Sequence, residues 1–223
     1  MRILLLGHGR MGRLVESLAA AHGCQIAGIV TSGSGTDAFG ADADVAVDFS
    51  IGPAVRANVV RLADRKLNVV IGTTGWAEDE AACREVAAKA GIGVIASPNF
   101  ALGMHVFRAV VEHAARLFAA QGDVGAWIHE LHHAAKKDAP SGTALMLQRA
   151  MAARGYSRPI DVSSTRAGAM PGTHVVGFDG PAESVTFSHE VRDRAVFAHG
   201  ALEAAKWVKG RRGWFAMADL VGE

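Results

Sequence analysis

The chain has 223 residues, enough for one large domain or two small ones, and its 23 basic and 22 acidic side chains leave a formal charge of +1. That balance argues against a nucleic-acid backbone as the main partner, and no apolar run reaches the roughly 18 residues that a membrane span needs. The two cysteines, Cys24 and Cys83, make no metal or disulfide framework, and the opening MRILLLGHGRMG runs into a Gly-rich turn instead of a signal-peptide cleavage region, so a cytoplasmic protein is expected.

Arg2 to Leu6 is a short apolar run ending at a glycine, the pattern of a fully buried parallel strand. Met11 to Ala21 predicts a helix with Met11, Leu14, Val15, Leu18 and Ala19 on one stripe. Gln25 to Thr31, Val45 to Phe49, Asn68 to Ile71 and Ile92 to Ala96 are further β runs. Helices are expected near 53–66 and 77–90, the second closed by Gly91. This alternation predicts an α/β fold with a doubly wound parallel sheet. After Pro98 the rhythm changes. Leu102 to Phe118 reads as a helix with Val106, Val110, His113 and Leu117 along one side. Asp123 to Leu131 alternates like a strand, and 141–154 is helical. Val175 to Phe178 and Val185 to Phe187 pair across an Asp179-Gly180-Pro181 turn, and Arg194 to Lys209 is a last helix. The middle segment therefore predicts a second, smaller α+β domain with a mixed or antiparallel sheet.

Gly7-His8-Gly9-Arg10-Met11-Gly12 is G-x-G-x-x-G directly after a predicted strand and at the opening of a helix. In that setting Gly7 permits the tight turn, Gly9 lets a pyrophosphate approach the backbone, and Gly12 lets helix pack on strand. The helix N-terminus offers free N–H groups to phosphate. An NAD site usually carries a carboxylate at the end of the second strand, where this chain has Thr31 and Ser32. Without that repulsion Arg10 and the two hydroxyls would accept a 2′-phosphate, so NADPH is expected alongside NADH. Gly72, Thr73 and Thr74 follow one strand end, and Ser97, Pro98, Asn99 and Phe100 follow the next, where they should edge the nicotinamide half of the ligand.

His129-Glu130-Leu131-His132-His133 matches the zinc-protease pattern H-E-x-x-H, but that chemistry needs a helix. The alternating GDVGAWI before it favours a strand, on which His129 and His133 would stand about 13 Å apart, too far to share one ion. No metal is expected. Downstream, two histidines and two lysines precede Pro-Ser-Gly-Thr at a helix start. The N–H groups of Gly142 and Thr143, with the Ser141 and Thr143 hydroxyls, would make an anion site beside Lys136 and an imidazole able to deliver a proton. On these residues alone, a solvated basic loop capped by Ser141 is an equal reading.

The run from Glu130 to Ala144, E-L-H-H-x-x-K-x-D-A-P-S-G-T-A, resembles the signature of the 4-hydroxy-tetrahydrodipicolinate reductase (dihydrodipicolinate reductase) family of the lysine and diaminopimelate pathway. The resemblance extends along nearly the whole chain. It takes in G-H-G-R-M-G, Asp48-Phe49-Ser50, Gly72-Thr73-Thr74-Gly75 and Asn99-Phe100 with Gly103. It continues through Arg166-Ala167-Gly168, Gly172-Thr173-His174, and Arg194 with Phe197-Ala198 and Gly200-Ala201. It implies a Rossmann-type domain of residues 1–100 with 194–223, a substrate-binding and oligomerisation domain of 101–193, and a homotetramer using NADPH and/or NADH on a small dicarboxylate. By position it implies His132 as proton donor or acceptor, Lys136 as a second donor, and His133, Gly142 and Thr143 on the substrate. Gly7 to Met11, Gly72 to Thr74 and Ser97 to Phe100 would hold the cofactor. Relative to the family pattern the chain is a short form: its first loop is one residue tighter, and much of the segment before Val45 is missing.

Overall fold

The computed structural model describes all residues except Gly35, Ala41 and Glu223, and only the backbone of Thr36 and Asp37. Among the described residues ten strands run in chain order: β1 (Arg2–Leu6), β2 (Gln25–Val30), β3 (Val45–Asp48), β4 (Asn68–Ile71), β5 (Gly93–Ala96), β6 (Gly125–His132), β7 (Ile160–Arg166), β8 (Gly172–Asp179), β9 (Ser184–Val191) and β10 (Gly213–Phe215). Seven α-helices accompany them: α1 (Arg10–Ala19), α2 (Gly52–Asp64), α3 (Glu80–Ala90), α4 (Leu102–Phe118), α5 (Gly142–Ala153), α6 (Ala195–Val208) and α7 (Met217–Val221). None is long and apolar enough to cross a membrane. The chain divides into two compact units, Met1–Leu102 with Ala195–Glu223, and Gly103–Arg194.

The first unit is a six-stranded parallel sheet in the order β10-β5-β4-β3-β1-β2. Its inner strands are apolar on both faces, and Ile3 to Leu6, Val45 to Val47 and Val69 to Ile71 are all sealed from solvent, as a sheet covered on both sides requires. On one face α1 and α6 close over Ile3, Leu5, Val47, Val70 and Ile95 with Val15, Ala201, Leu202, Ala205 and Val208. On the other, α2 and α3 supply Val55, Val59, Leu62, Cys83 and Ala87. The strand order reverses between β1 and β3, and in such sheets ligands bind beyond the carboxyl ends at that reversal.

The second unit holds a mixed four-stranded sheet, β7-β6-β8-β9, in which only β6 and β7 run parallel. A parallel pair needs a crossover, and α5 provides it. Helix α4 is apolar on two sides. Met104, Phe107, Val111, Ala114 and Ala115 are buried, whereas Val106, Val110 and Leu117 of the stripe read from the sequence are exposed. Strand β7 (IDVSSTR) was not expected; it is too polar to show a β pattern.

Candidate active site

The carboxyl ends of the first unit's strands carry the nucleotide-binding candidates. Gly7 follows β1 with φ +86, and its N–H donates to the Val30 carbonyl at 2.8 Å. A Cβ at Gly7 would lie 2.4 Å from the Phe49 oxygen, and one at Gly12 would lie 2.1 Å from the Gly7 oxygen, so turn and helix meet at backbone contact. At Gly9 a Cβ would meet nothing within 4 Å. Gly9 also caps α1 without a side-chain bond. Arg10 is exposed, Met11 packs on the core, and His8 Nε2 pairs with Glu16 at 2.7 Å. Thr31 and Ser32 are exposed directly beyond β2, where the Thr31 N–H donates to Ser34 Oγ at 2.9 Å.

Beneath this rim, fully buried Asp48 at the end of β3 ties the neighbouring turns together. It accepts from the Ser50 N–H at 2.8 Å, Asn58 Nδ2 at 2.9 Å and Thr73 Oγ1 at 2.9 Å. The Thr73 hydroxyl is thus spent inside the fold, and the buried Phe100 ring packs edge-on to Phe49. Ser97 Oγ donates to the Asn99 carbonyl at 2.6 Å, and Asn99 Oδ1 accepts from the Ala101 N–H at 2.8 Å, which shapes the loop after β5. Thr73, Thr74, Ser97 and Pro98 line a cavity of about 360 Å³ with Trp76 and Trp214, two rings that the sequence reading did not single out.

In the second unit the H-E-L-H segment is strand β6, and alternation turns Ala126, Ile128, Glu130 and His132 to the buried face. His129 lies on the other face, where Nε2 meets Thr165 Oγ1 at 3.1 Å. His132 Nδ1 pairs with a Glu130 oxygen. Arg166, at the end of β7, reaches both oxygens of that carboxylate, at 2.6 and 3.1 Å, and also the Asp138 carbonyl at 2.6 Å. From β8 comes His174, its ring edge-on to His132 at 5.2 Å. The Ser141 hydroxyl accepts from the Ala144 N–H as the cap of α5 and meets His174 Nε2, both at 3.2 Å. His174 Nδ1 is a buried atom with no partner among the described residues.

Burial alone would raise the Glu130 carboxyl, but hydrogen bonds from Arg166, Ser164 and His132 outweigh it and hold the group at about 2. Burial pushes His132 below the ordinary histidine value, against the pull of Glu130. Burial, with help from His132, takes His174 down to about 4. Glu130, His132 and His174 are also the one trio among the described residues whose ligand atoms approach closely enough to share an ion. Arg166 already occupies both carboxylate oxygens there.

After β6 the chain is laced to the 167–170 turn: the His133 N–H donates to Met170 O at 2.9 Å, and the Ala134 N–H to Gly168 O at 3.1 Å. Lys136 Nζ lies 2.7 and 2.9 Å from the two Asp138 oxygens. That ammonium first, and after it the backbone amides of Asp138 itself and of Gly142, hold the Asp138 carboxyl below its usual range. A carboxylate thus already rests on two of the groups read as an anion site. Thr143 follows in the first turn of α5, so His132, His133, Lys136, Ser141, Gly142 and Thr143 all fall within one strand end, one loop and one helix start. Glu130, Arg166 and His174 stood in the motifs read from the sequence, but without roles.

Two family models cover the chain: dihydrodipicolinate reductase, N-terminus, matches residues 1–100, and dihydrodipicolinate reductase, C-terminus, matches residues 103–221. The chain belongs to the dihydrodipicolinate reductase family. It is accordingly an NAD(P)H-dependent oxidoreductase with a small carboxylate as substrate. The 4-hydroxy-tetrahydrodipicolinate reductase of Bradyrhizobium diazoefficiens is 37% identical over 269 aligned positions, which span all of this chain and 97% of the relative. That of Christiangramia forsetii is 32% identical over 235 positions, all of this chain and 98% of the relative. Alignments longer than the chain itself are what a short form gives. The dipicolinate-bound dihydrodipicolinate reductase from Paenisporosarcina sp. TG-14 shares the fold, with a TM-score of 0.86 at 21% identity over 99% of this chain and 98% of that one.

The depressed histidine gives this family member a definite acid response. His174 is neutral when folded and titrates near 4, against about 6.5 unfolded, so the unfolded chain binds more protons between those values. Its contribution to stability is complete above about pH 6.5 and is lost as pH falls toward 4. Glu130, also depressed, continues the loss from the ordinary carboxylate range down to about 2. Chemical denaturation between pH 7 and 4.5 should show falling stability, with a shallower slope in His174→Gln. An identical slope in that variant would remove His174 from the account.

Proposed function

We propose that this chain reduces 4-hydroxy-tetrahydrodipicolinate to tetrahydrodipicolinate with NAD(P)H, in the diaminopimelate and lysine pathway. The nucleotide binds the unit formed by Met1–Leu102 and Ala195–Glu223, and the dicarboxylate binds the unit formed by Gly103–Arg194. The observation that carries this reading is the buried Glu130–His132–Arg166 cluster beside Lys136 and the start of α5. It gathers an acid–base group and anion-binding groups in one place.

The first unit fits a dinucleotide, since the space over Gly9 is open and the α1 amides carry no side-chain cap. Gly7 to Gly12 would hold the pyrophosphate. Arg10, Thr31 and Ser32 would face the adenosine ribose, and Gly72 to Thr74 with Ser97 to Phe100 the nicotinamide. When bound, the reduced nicotinamide supplies a hydride from C4 to the conjugated ring left after loss of water. Lys136 and the Gly142 and Thr143 amides hold the substrate carboxylates, displacing Asp138 from the ammonium, and His133 borders the same ground. This fixes the ring and counters the negative charge that develops on it. His132 delivers the proton from Nε2, with Lys136 as the second donor. Ser141 acts through the α5 cap and its contact with His174.

We read the enzyme as a homotetramer, with the second sheet's outer face as the contact. That face carries half-buried Trp127, Leu131 and Val175. We place it in the cytoplasm, where its two buried free thiols stay reduced.

The deciding experiment is nucleotide oxidation followed at 340 nm, with 4-hydroxy-tetrahydrodipicolinate generated in the cuvette. Both nucleotides should be oxidised, NADPH at least as well as NADH, and absence of oxidation with either refutes the reading. A charge-assisted contact to the 2′-phosphate is worth about 1.5–3 kcal/mol. Thr31→Glu should therefore raise the NADPH KM about 10-fold or more and leave NADH the better substrate. An unchanged ratio would mean that the ribose end does not pass Thr31.

A further inference from the structure

His132 has two ring nitrogens with different surroundings. Nδ1 is tied to Glu130, two residues back on the same face of β6. Nε2 is turned toward Gly172, where a Cβ would lie 2.9 Å away, and φ of +151 marks a backbone that suits glycine. A side chain at that position would press on this edge of the ring. We propose that Glu130, clamped by Arg166, is the positioning residue for His132. It fixes the proton on Nδ1 and holds the imidazolium from which Nε2 delivers its proton. This rests on the reading of His132 as proton donor and extends it to two residues that touch neither substrate nor cofactor.

The hydrogen-bond arithmetic of the carboxylate supports the assignment. Oε1 accepts from Arg166 at 2.6 Å and from the Ser141 N–H at 3.2 Å. Oε2 accepts from Arg166 at 3.1 Å and is the partner of His132 Nδ1. With these donors and the Ser164 side chain on two oxygens and no exposure to water, the carboxylate stays ionised and can only accept. Nδ1 must therefore carry a hydrogen in both states of the imidazole, so the proton that comes and goes is on Nε2. The same Arg166 holds the Asp138 carbonyl, and it thereby ties the loop bearing Lys136 to the strand bearing His132.

The step served is a proton transfer. The Nε2–H bond of the imidazolium breaks, its electron pair stays on nitrogen, and a C–H bond forms on the electron-rich ring carbon left by hydride addition. The imidazolium loses its charge as the ring loses its own. The groups facing His132 are Glu130 on its own strand, Arg166 from β7, His174 from β8 and Lys136 from the following loop. Glu130 is the one anion among them, so its loss leaves the imidazolium beside two cations.

Glu130→Gln replaces one oxygen by NH2. The amide oxygen goes to the Oε1 place, where two donors converge, and the NH2 then faces His132 Nδ1. Nδ1 becomes an acceptor, the proton moves to Nε2, and the imidazolium meets a donor head-on. The full-length enzyme with saturating NADPH should lose about 10²-fold in kcat or more, since a wrong tautomer beside a catalytic imidazole can cost up to about 10⁴-fold. NADPH affinity should be unchanged, and the alkaline limb of kcat should move to lower pH. Two-bond 15N–1H correlation should report Nδ1–H for His132 in the wild type and Nε2–H in the variant. Glu130→Asp, which keeps the charge, should recover part of the rate.

A wild-type His132 protonated on Nε2 overturns the proposal without any variant, as does a Glu130→Gln enzyme with the wild-type pH profile. His132→Gln separates the two levels. If it keeps full kcat, the proton-donor reading fails and this proposal falls with it. If it is impaired while Glu130→Gln is not, only the positioning role is refuted.

Discussion

Lys136→Ala should lower kcat by about 10²-fold, the scale of a lost acid–base group, and raise the KM of the dicarboxylate while leaving NAD(P)H affinity as it was. Two effects add in the same direction. The ammonium that faces the substrate carboxylate and offers a second proton is gone. Asp138, which rests on that ammonium at 2.7 and 2.9 Å, is left as an uncompensated anion beside the Gly142 amide. A carboxylate substrate then approaches a negative site. Lys136→Ala/Asp138→Asn removes that anion, and it should restore much of the KM but not the kcat. Steady-state kinetics on the two variants, with direct titration of NADPH, read the three quantities separately. Loss of NADPH affinity with normal kcat would place Lys136 with the nucleotide and sink the assignment.

The partners of Lys136 and His132 show how far the sequence reaches. G-x-G-x-x-G was legible because each glycine answers a local demand, a positive φ at Gly7 and backbone contact at Gly12, within one turn of chain. The H-E-L-H strand was legible because period-two alternation is local as well. Arg166 was not. It reaches Glu130 from 36 residues away through the parallel register that sets His132 beside Arg166 and Glu130 beside Ser164, and β7 carries no apolar alternation to announce itself. His174 arrives by an antiparallel register that sets it opposite Glu130. Helix α4 shows a different limit: with two apolar sides, the stripe through Val106, Val110 and Leu117 could not be told from the buried one by period alone. The residues read as acting on the ligand lie in local motifs, as does Glu130, whereas Arg166 and His174 reach the cluster through strand pairing.

The same distinction gives the other large effect, at Gly200 in the middle of α6. Helix propensity favours alanine over glycine by about 1 kcal/mol, so an exposed Gly→Ala here would stabilise. At Gly200, however, the new Cβ would lie 1.7 Å from the Phe100 carbonyl oxygen and 2.8 Å from its carbon, both backbone atoms that cannot rotate away. Around it Ala198, Ala201, Leu202, Ala204 and Ala205 are fully buried, so the helix has no room to retreat and the strain falls on the Phe100 carbonyl. Overpacking of this kind costs about 1–3 kcal/mol or more, which outweighs the propensity gain. Net of the propensity gain up to about 2 kcal/mol remains, and at about 2–4 °C per kcal/mol for a chain of this length the Tm of Gly200→Ala should fall by up to roughly 8 °C. NADPH affinity should fall with it, because the displaced carbonyl belongs to the loop after β5 that edges the proposed nicotinamide site. Gly122→Ala, where a Cβ meets nothing within 4 Å, serves as the control and should leave both unchanged. A Gly200→Ala protein with a Tm at or above the wild type would mean that α6 does not press on the Phe100 backbone.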